Sequence, residues 1–158
     1  MRVPMHSTRY ILLTLIIFNF LVSYSTIAEE HHHHDNQQTL QLNHGAKWQI
    51  DQSLHTGMAS IQQQIVFNLD AIHFDKFSKP QFLALASGLD KQLNFIFENC
   101  QLAPKADAQL HVLLGKIMQG NDLMKYAQNK KSGAVMILQA LQEYPKYFDD
   151  ANWKNIIH

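Results

Sequence analysis

His55 and Met58 stand three residues apart, Asp107 and His111 stand four apart, and Cys100 is the only cysteine of the chain. On a helix these spacings put each pair on one face. Thioether and thiolate sulfur select Cu(I), and imidazole nitrogen keeps Zn²⁺ and Cu(II) in range. Asp107 is placed to hold one ring nitrogen of His111 and leave the other for a ligand. His55, Met58, Cys100 and His111 together would make a closed four-ligand site, suited to storage, carriage or sensing rather than catalysis. A Met and a His from different helices also match the axial ligands of haem b.

The same residues have a plainer use. Met and Cys are ordinary core fillers. A histidine at the edge of an apolar stripe is commonly satisfied by one hydrogen bond, and Asp107 near a helix start complements the helix dipole. Three readings therefore stand side by side. They are a metal site (copper first, zinc second), a haem pocket, and a structural or protein-interaction module whose cluster is only core. The run His31, His32, His33 and His34 adds a weak metal-binding arm by composition alone. His44 and His73 are expected at the surface, and Tyr144, Tyr147 and Phe148 are expected to lie over the end of the fold.

Enzyme chemistry finds little footing. The chain has no His-Glu-x-x-His pair, no Gly-x-Ser-x-Gly elbow and no glycine-rich phosphate loop. Covalent haem needs Cys-x-x-Cys-His, which one cysteine cannot supply.

The elements that must position these side chains follow from periodicity. After Asp51, a good N-cap, Leu54, Met58, Ile61, Ile65, Leu69 and Ile72 recur every three or four residues, the stripe of an amphipathic helix. Asp75–Lys79 breaks the pattern, Ser78 caps the next helix and Pro80 fits its first turn. The second stripe is Phe82, Leu85, Leu89, Leu93, Ile96 and Cys100. A third helix past Pro104 carries Leu110, His111, Leu114, Ile117, Met118 and Met124, with Gly120-Asn121 expected to kink or end it. A fourth, with Val135, Leu138 and Leu141, is expected to stop at Tyr144-Pro145. Residues 146–158 read as irregular. Residues 39–50 read as a short extended lead-in, with a turn at Asn43-His44-Gly45.

Short connections between four amphipathic helices predict an all-α fold, an up-down-up-down four-helix bundle. An irregular orthogonal helical domain is the alternative, because the fourth helix is short. In the bundle, the start of helix one, the end of helix two, the start of helix three and the end of helix four share one end. That order is what would gather His55, Met58, Cys100, Asp107 and His111.

Arg2 and Arg9 flank a mostly apolar run from Tyr10 to Val22, followed by Thr26-Ile27-Ala28 with small residues at the −3 and −1 positions. This order predicts a signal peptide over residues 1–28 and a periplasmic or secreted protein, with an uncleaved N-terminal anchor as the alternative. Residues 29–38 read as a disordered His-rich arm, and residues 39–158 as a single helical domain. After Ala28 there are eleven lysines against thirteen acids, a balance near −2. That balance gives no electrostatic reason to bind nucleic acid or an anionic membrane once the signal is removed. The physiological partner is not legible.

The segment LQLNHGAKWQIDQSLHTGM (40–58), with CQLAPKADAQLHVLL (100–114) and YPKYFDDANW (144–153), resembles a family of small exported Gram-negative proteins, some labelled DnrO protein. The resemblance spans most of the mature chain and implies export but no established activity. At the level of fold the chain also looks like the periplasmic four-helix cytochromes of the b562 and c′ types. It departs from the b-type pattern, a Met on helix one and a His late on helix four. Met58 matches the first position, but helix four has no histidine, so only His111 or His55 could stand in for the second.

Overall fold

The computed structural model describes residues 39–156. The expected signal segment, residues 1–28, and the histidine arm, residues 29–38, lie outside the described residues.

Four helices make up most of the described chain: α1 (Gln52–His73), α2 (Lys79–Asn99), α3 (Pro104–Tyr126) and α4 (Lys131–Tyr147). The fold is an all-α four-helix bundle. Each helix forms where an apolar stripe and a start signal coincide. The Asp51 carboxylate accepts the Leu54 N–H at 2.7 Å and so caps α1. At α2, the Gln81 side-chain oxygen accepts from both the Ser78 N–H and its hydroxyl, each at 2.8 Å. Leu54, Met58, Ile61, Ile65, Leu69 and Ile72 are the buried apolar side chains of α1. Burying each large apolar side chain is worth roughly 1.5–3 kcal/mol, which holds the stripe inward.

The helices close a ring, with α1 along α2, α2 along α3, α3 along α4 and α4 back along α1. Specific contacts join the beginning of one helix to the end of its neighbour. Gln101 N–H, just past α2, donates to Asp51 Oδ2 at 2.6 Å. Lys131 Nζ, at the start of α4, donates to the His73 carbonyl at 2.7 Å. Phe97, late in α2, lies 6.2 Å from the ring of His111, early in α3.

Two expectations about helix ends need correction. Gly120-Asn121 does not end the third helix, which runs on to Tyr126. The glycine is there because α4 crosses at that point. A Cβ on Gly120 would lie 2.7 Å from the Gly133 carbonyl oxygen, and one on Gly133 would strike the Gly120 carbonyl oxygen. Asn121 is buried and donates from Nδ2 to Asp90 Oδ1 at 2.7 Å. The fourth helix, in turn, passes through Pro145 and ends at Tyr147. Proline forfeits one backbone hydrogen bond in the last turn. The fully buried Tyr144 and Phe148 on either side of it anchor that turn.

The close crossing makes a first prediction. Gly133→Ala places a methyl group against backbone that cannot move aside as a side chain can. We expect a loss of about 1–3 kcal/mol in urea unfolding. Gly115, where an added Cβ meets nothing within 4 Å, is the control. Gly115→Ala should be neutral or stabilising, because a helical glycine is about 1 kcal/mol worse than alanine. Equal stabilities for the two alanine variants would overturn the close-packing account.

The lead-in is as short as expected but has an unexpected partner. The strand β1 (Trp48–Gln49) pairs in parallel with β2 (Phe148–Asp149), with Trp48 opposite Phe148. Before it, Asn43 and Ala46 exchange backbone hydrogen bonds at 2.8 and 3.0 Å around His44 (φ 51°) and Gly45 (φ 90°). Two successive positive φ values are what a tight hairpin turn of this kind needs.

Candidate functional site

The small parallel pairing fixes where the chain goes after α4. Phe148 is fully buried, stacked on Tyr144 with ring centroids 5.3 Å apart. Trp153 also packs on Tyr144, with ring centroids 4.6 Å apart. Between these aromatic contacts the backbone carries Asp150 inward, and its side chain is 2 % exposed. A carboxylate so placed must be hydrogen-bonded or neutral. Here it accepts from His55 Nδ1, 2.9 Å from each carboxylate oxygen, from the Tyr144 hydroxyl at 3.2 Å, and from the Asn152 N–H at 3.1 Å.

The pairing decides the histidine's tautomer. A carboxylate only accepts, so Nδ1 carries the proton, and in a neutral ring Nε2 is left as an acceptor. Nε2 has no hydrogen-bond partner among the described residues, and the His55 side chain is 22 % exposed. His55 lines a groove of about 510 Å³ between α1 and the C-terminal segment, together with Ala59, Val66, Asn152, Trp153 and Ile156. Gln62 helps hold the far wall, donating to the Lys154 carbonyl at 2.7 Å.

Cys100 and Tyr144 belong to the same end of the bundle. Burial pushes the Cys100 thiol up to about 12, and the charge of Asp51, a hydrogen bond to it, and the charge of Asp107 add to the effect. Burial likewise raises the Tyr144 hydroxyl well above its usual range, followed by the charge of Asp150 and the hydrogen bond to it. Both groups are held in their uncharged forms.

The residues expected to form a ligand cluster are placed as follows. His55 is paired with Asp150 and open to the groove on its other side. Met58 is fully buried within the core of α1. Cys100 is the C-cap of α2 rather than a member of its buried stripe, and is half-buried. His111 lies at the surface, 59 % exposed, with Nδ1 2.9 Å from the Asp107 carbonyl oxygen and 3.5 Å from its carboxylate. Asp107 therefore holds the His111 ring chiefly through its backbone. Cys100 and Asp107 do come close enough for the carboxylate to act on the thiol, while Met58 and His111 do not line the groove that His55 lines. Among the described residues, no group of three or more His, Cys, Asp or Glu side chains is arranged to hold a metal ion.

Asp150 is the residue that sequence reasoning missed. Its only signal was an acidic pair, Asp149-Asp150, set among aromatic residues near the C-terminus, where no periodicity fixes which of the two points inward. Fold and site together define a four-helix bundle with a buried-carboxylate–histidine pair at one end. Comparison of the chain with protein-family models, with curated proteins and with solved structures found no match.

Proposed function

We propose that the chain is an exported helical binding module, whose ligand is a small, largely neutral organic molecule carrying an N–H or O–H donor. The observation that carries this reading is the His55 ring, fixed through Nδ1 by a carboxylate that is 2 % exposed, while the ring itself is 22 % exposed and lines the groove. Such a ring is preoriented, so a ligand does not have to order it on binding. The groove has the size and mixed character of a small-molecule site. Val66, Trp153 and Ile156 supply apolar surface, and Asn152 and Asn155 supply amide groups. Binding is the reading that the preoriented ring and the mixed lining of the groove support directly. Export rests on the Arg2–Ala28 pattern of the sequence.

A second reading is supported by the same pair. A carboxylate behind an imidazole is the usual support of a metal-ligating histidine. A copper or zinc ion bound at His55 would draw its other ligands from solvent or from a partner molecule.

One experiment separates the two. A panel of small amide-, amine- and alcohol-bearing fragments is screened by amide chemical shifts in nuclear magnetic resonance, alongside Zn²⁺ and Cu²⁺ alone. Fragment hits should move the signals of Val66, Trp153 and Lys154, and Ala59→Trp, which fills the groove, should abolish the shifts. Stabilisation by metal that is lost in His55→Ala would favour the second reading. No fragment shift at these residues overturns the first.

A further inference from the structure

The opposite end of the bundle has a different character. It is formed by the connections 73–80 and 125–132, which Lys131 ties together by donating to the His73 carbonyl at 2.7 Å and to Asp75 Oδ1 at 2.8 Å. These two stretches contain five lysines, Lys76, Lys79, Lys125, Lys130 and Lys131, against one acid, Asp75. At the groove end the residues 47–51, 99–107 and 146–156 contain four lysines and four aspartates. The near-neutral charge of the whole chain conceals this asymmetry.

Not all five cations are free to act outward. Lys131 is paired with Asp75, and Lys125 with Asp90 and Asp122. Lys130 donates only to the carbonyls of Met124 and Lys125, which complete the end of α3 without cancelling its charge. Lys76 sits over the Phe74 ring at 5.8 Å. Lys76, Lys79 and Lys130 have no carboxylate partner among the described residues.

The same end exposes large aromatic side chains. Phe74 is 63 % exposed and Tyr126 is 80 % exposed, on the ends of two different helices. Phe67, two turns before Phe74 on α1, is 87 % exposed. A protein-binding hot spot seats its aromatics in well-packed pockets. Phe74 and Tyr126 are instead exposed at the ends of α1 and α3, with Lys76 over the Phe74 ring and Lys130 at the end of α3. That combination suits the interface of a bilayer, where aromatic rings sit at headgroup level and lysines are drawn to anionic lipid. No described helix is long and apolar enough to cross a membrane.

We infer that the bundle end formed by residues 73–80 and 125–132 docks on an anionic lipid surface through Lys76, Lys79 and Lys130, with Phe74 and Tyr126 entering the headgroup layer. This docking does not depend on the ligand reading at His55. It would hold the groove end away from the bilayer.

The test is co-sedimentation of the chain, as recovered from producing cells, with two kinds of vesicle. One is phosphatidylcholine alone, and the other is equal parts phosphatidylcholine and phosphatidylglycerol. Binding to the anionic vesicles should be at least about tenfold tighter and should weaken as salt is raised. Lys76→Glu with Lys79→Glu should remove most of that difference, and Phe74→Ser with Tyr126→Ser should reduce it. Lys47→Glu with Lys105→Glu, the same charge change at the other end, should leave it in place. These positions are at the surface, and circular dichroism checks that each variant is folded. Equal binding to both vesicles, or equal loss from the two lysine pairs, overturns the inference. Retention on immobilised poly-glutamate without vesicle binding also overturns it, in favour of an acidic polypeptide partner.

Discussion

Asp150→Ala is expected to cost about 3 kcal/mol of folding stability, in the range for breaking one side of a buried pair. The carboxylate is 2 % exposed and is the acceptor for His55 Nδ1, the Tyr144 hydroxyl and the Asn152 N–H. Its removal leaves the fully buried Tyr144 hydroxyl without its acceptor, which alone costs about 1–3 kcal/mol. It also unfastens the segment after α4, whose course depends on this contact and on the two-residue pairing with β1. For a domain of this size the melting temperature should fall by roughly 10 °C. Asp150→Asn keeps an acceptor oxygen but loses the charge, and should cost less than half as much. The pair should also be non-additive, so that His55→Ala costs little once Asp150 is already alanine. Urea unfolding of the four proteins measures this directly. A loss under 0.5 kcal/mol in Asp150→Ala would mean that the carboxylate does not fix the histidine, and the groove reading would lose its preoriented contact.

Most of the fold was legible because it depends on local signals. Asp51, Ser78 and Pro80 mark helix starts through hydrogen bonds and dihedral limits that operate within one turn. The α1 stripe buries as its spacing says, since a three-to-four repeat has only one face to hide. The errors fall where a distant element decides. Gly120-Asn121 has the composition of a helix end, yet there the approach of Gly133 on α4 demands a residue without a side chain, and Asp90 on α2 supplies the asparagine's partner. Pro145 is tolerated because its neighbours are buried, which no window around it reveals.

The site was legible to a lesser degree, for the same reason. The charge of Asp107, early in α3, acts on the Cys100 thiol at the end of α2, and His55 at the start of α1 meets Asp150 just after α4. Helix order does not say which way each side chain turns. His111 follows Asp107 by one turn but lies on the outer surface beside Phe97. The true partner of His55 lies 95 residues away in a stretch without periodicity. Its position is set by Tyr144, Phe148 and Trp153 packing on one another, a tertiary event.

Cys100 should be among the least reactive of thiols while the chain is folded. At pH 8 an ordinary cysteine, near 9.0, is about one tenth thiolate, and a group raised to about 12 is on the order of 10⁻⁴ thiolate. The scarcer thiolate is intrinsically the better nucleophile, which recovers part of the difference. Alkylation by iodoacetamide should therefore run between roughly 30-fold and 10³-fold slower in the folded chain than in the same chain unfolded in urea. Asp51→Asn removes the nearest opposing charge while keeping a residue able to cap α1, and should speed the folded reaction. The linked effect on stability has a definite sign. Cys100 and Tyr144 both bind their protons more tightly when folded. The Cys100 contribution is complete below the unfolded thiol's value near 9.0 and is lost as pH rises toward about 12, and that of Tyr144 begins to fall only above the ordinary tyrosine value of 10.0. The melting temperature should hold steady up to about pH 9 and then decline, with the decline shallower in Cys100→Ala and in Tyr144→Phe. Folded and unfolded alkylation rates within a factor of ten of each other would refute the account. They would instead indicate a thiol poised as thiolate, the form that a soft metal requires.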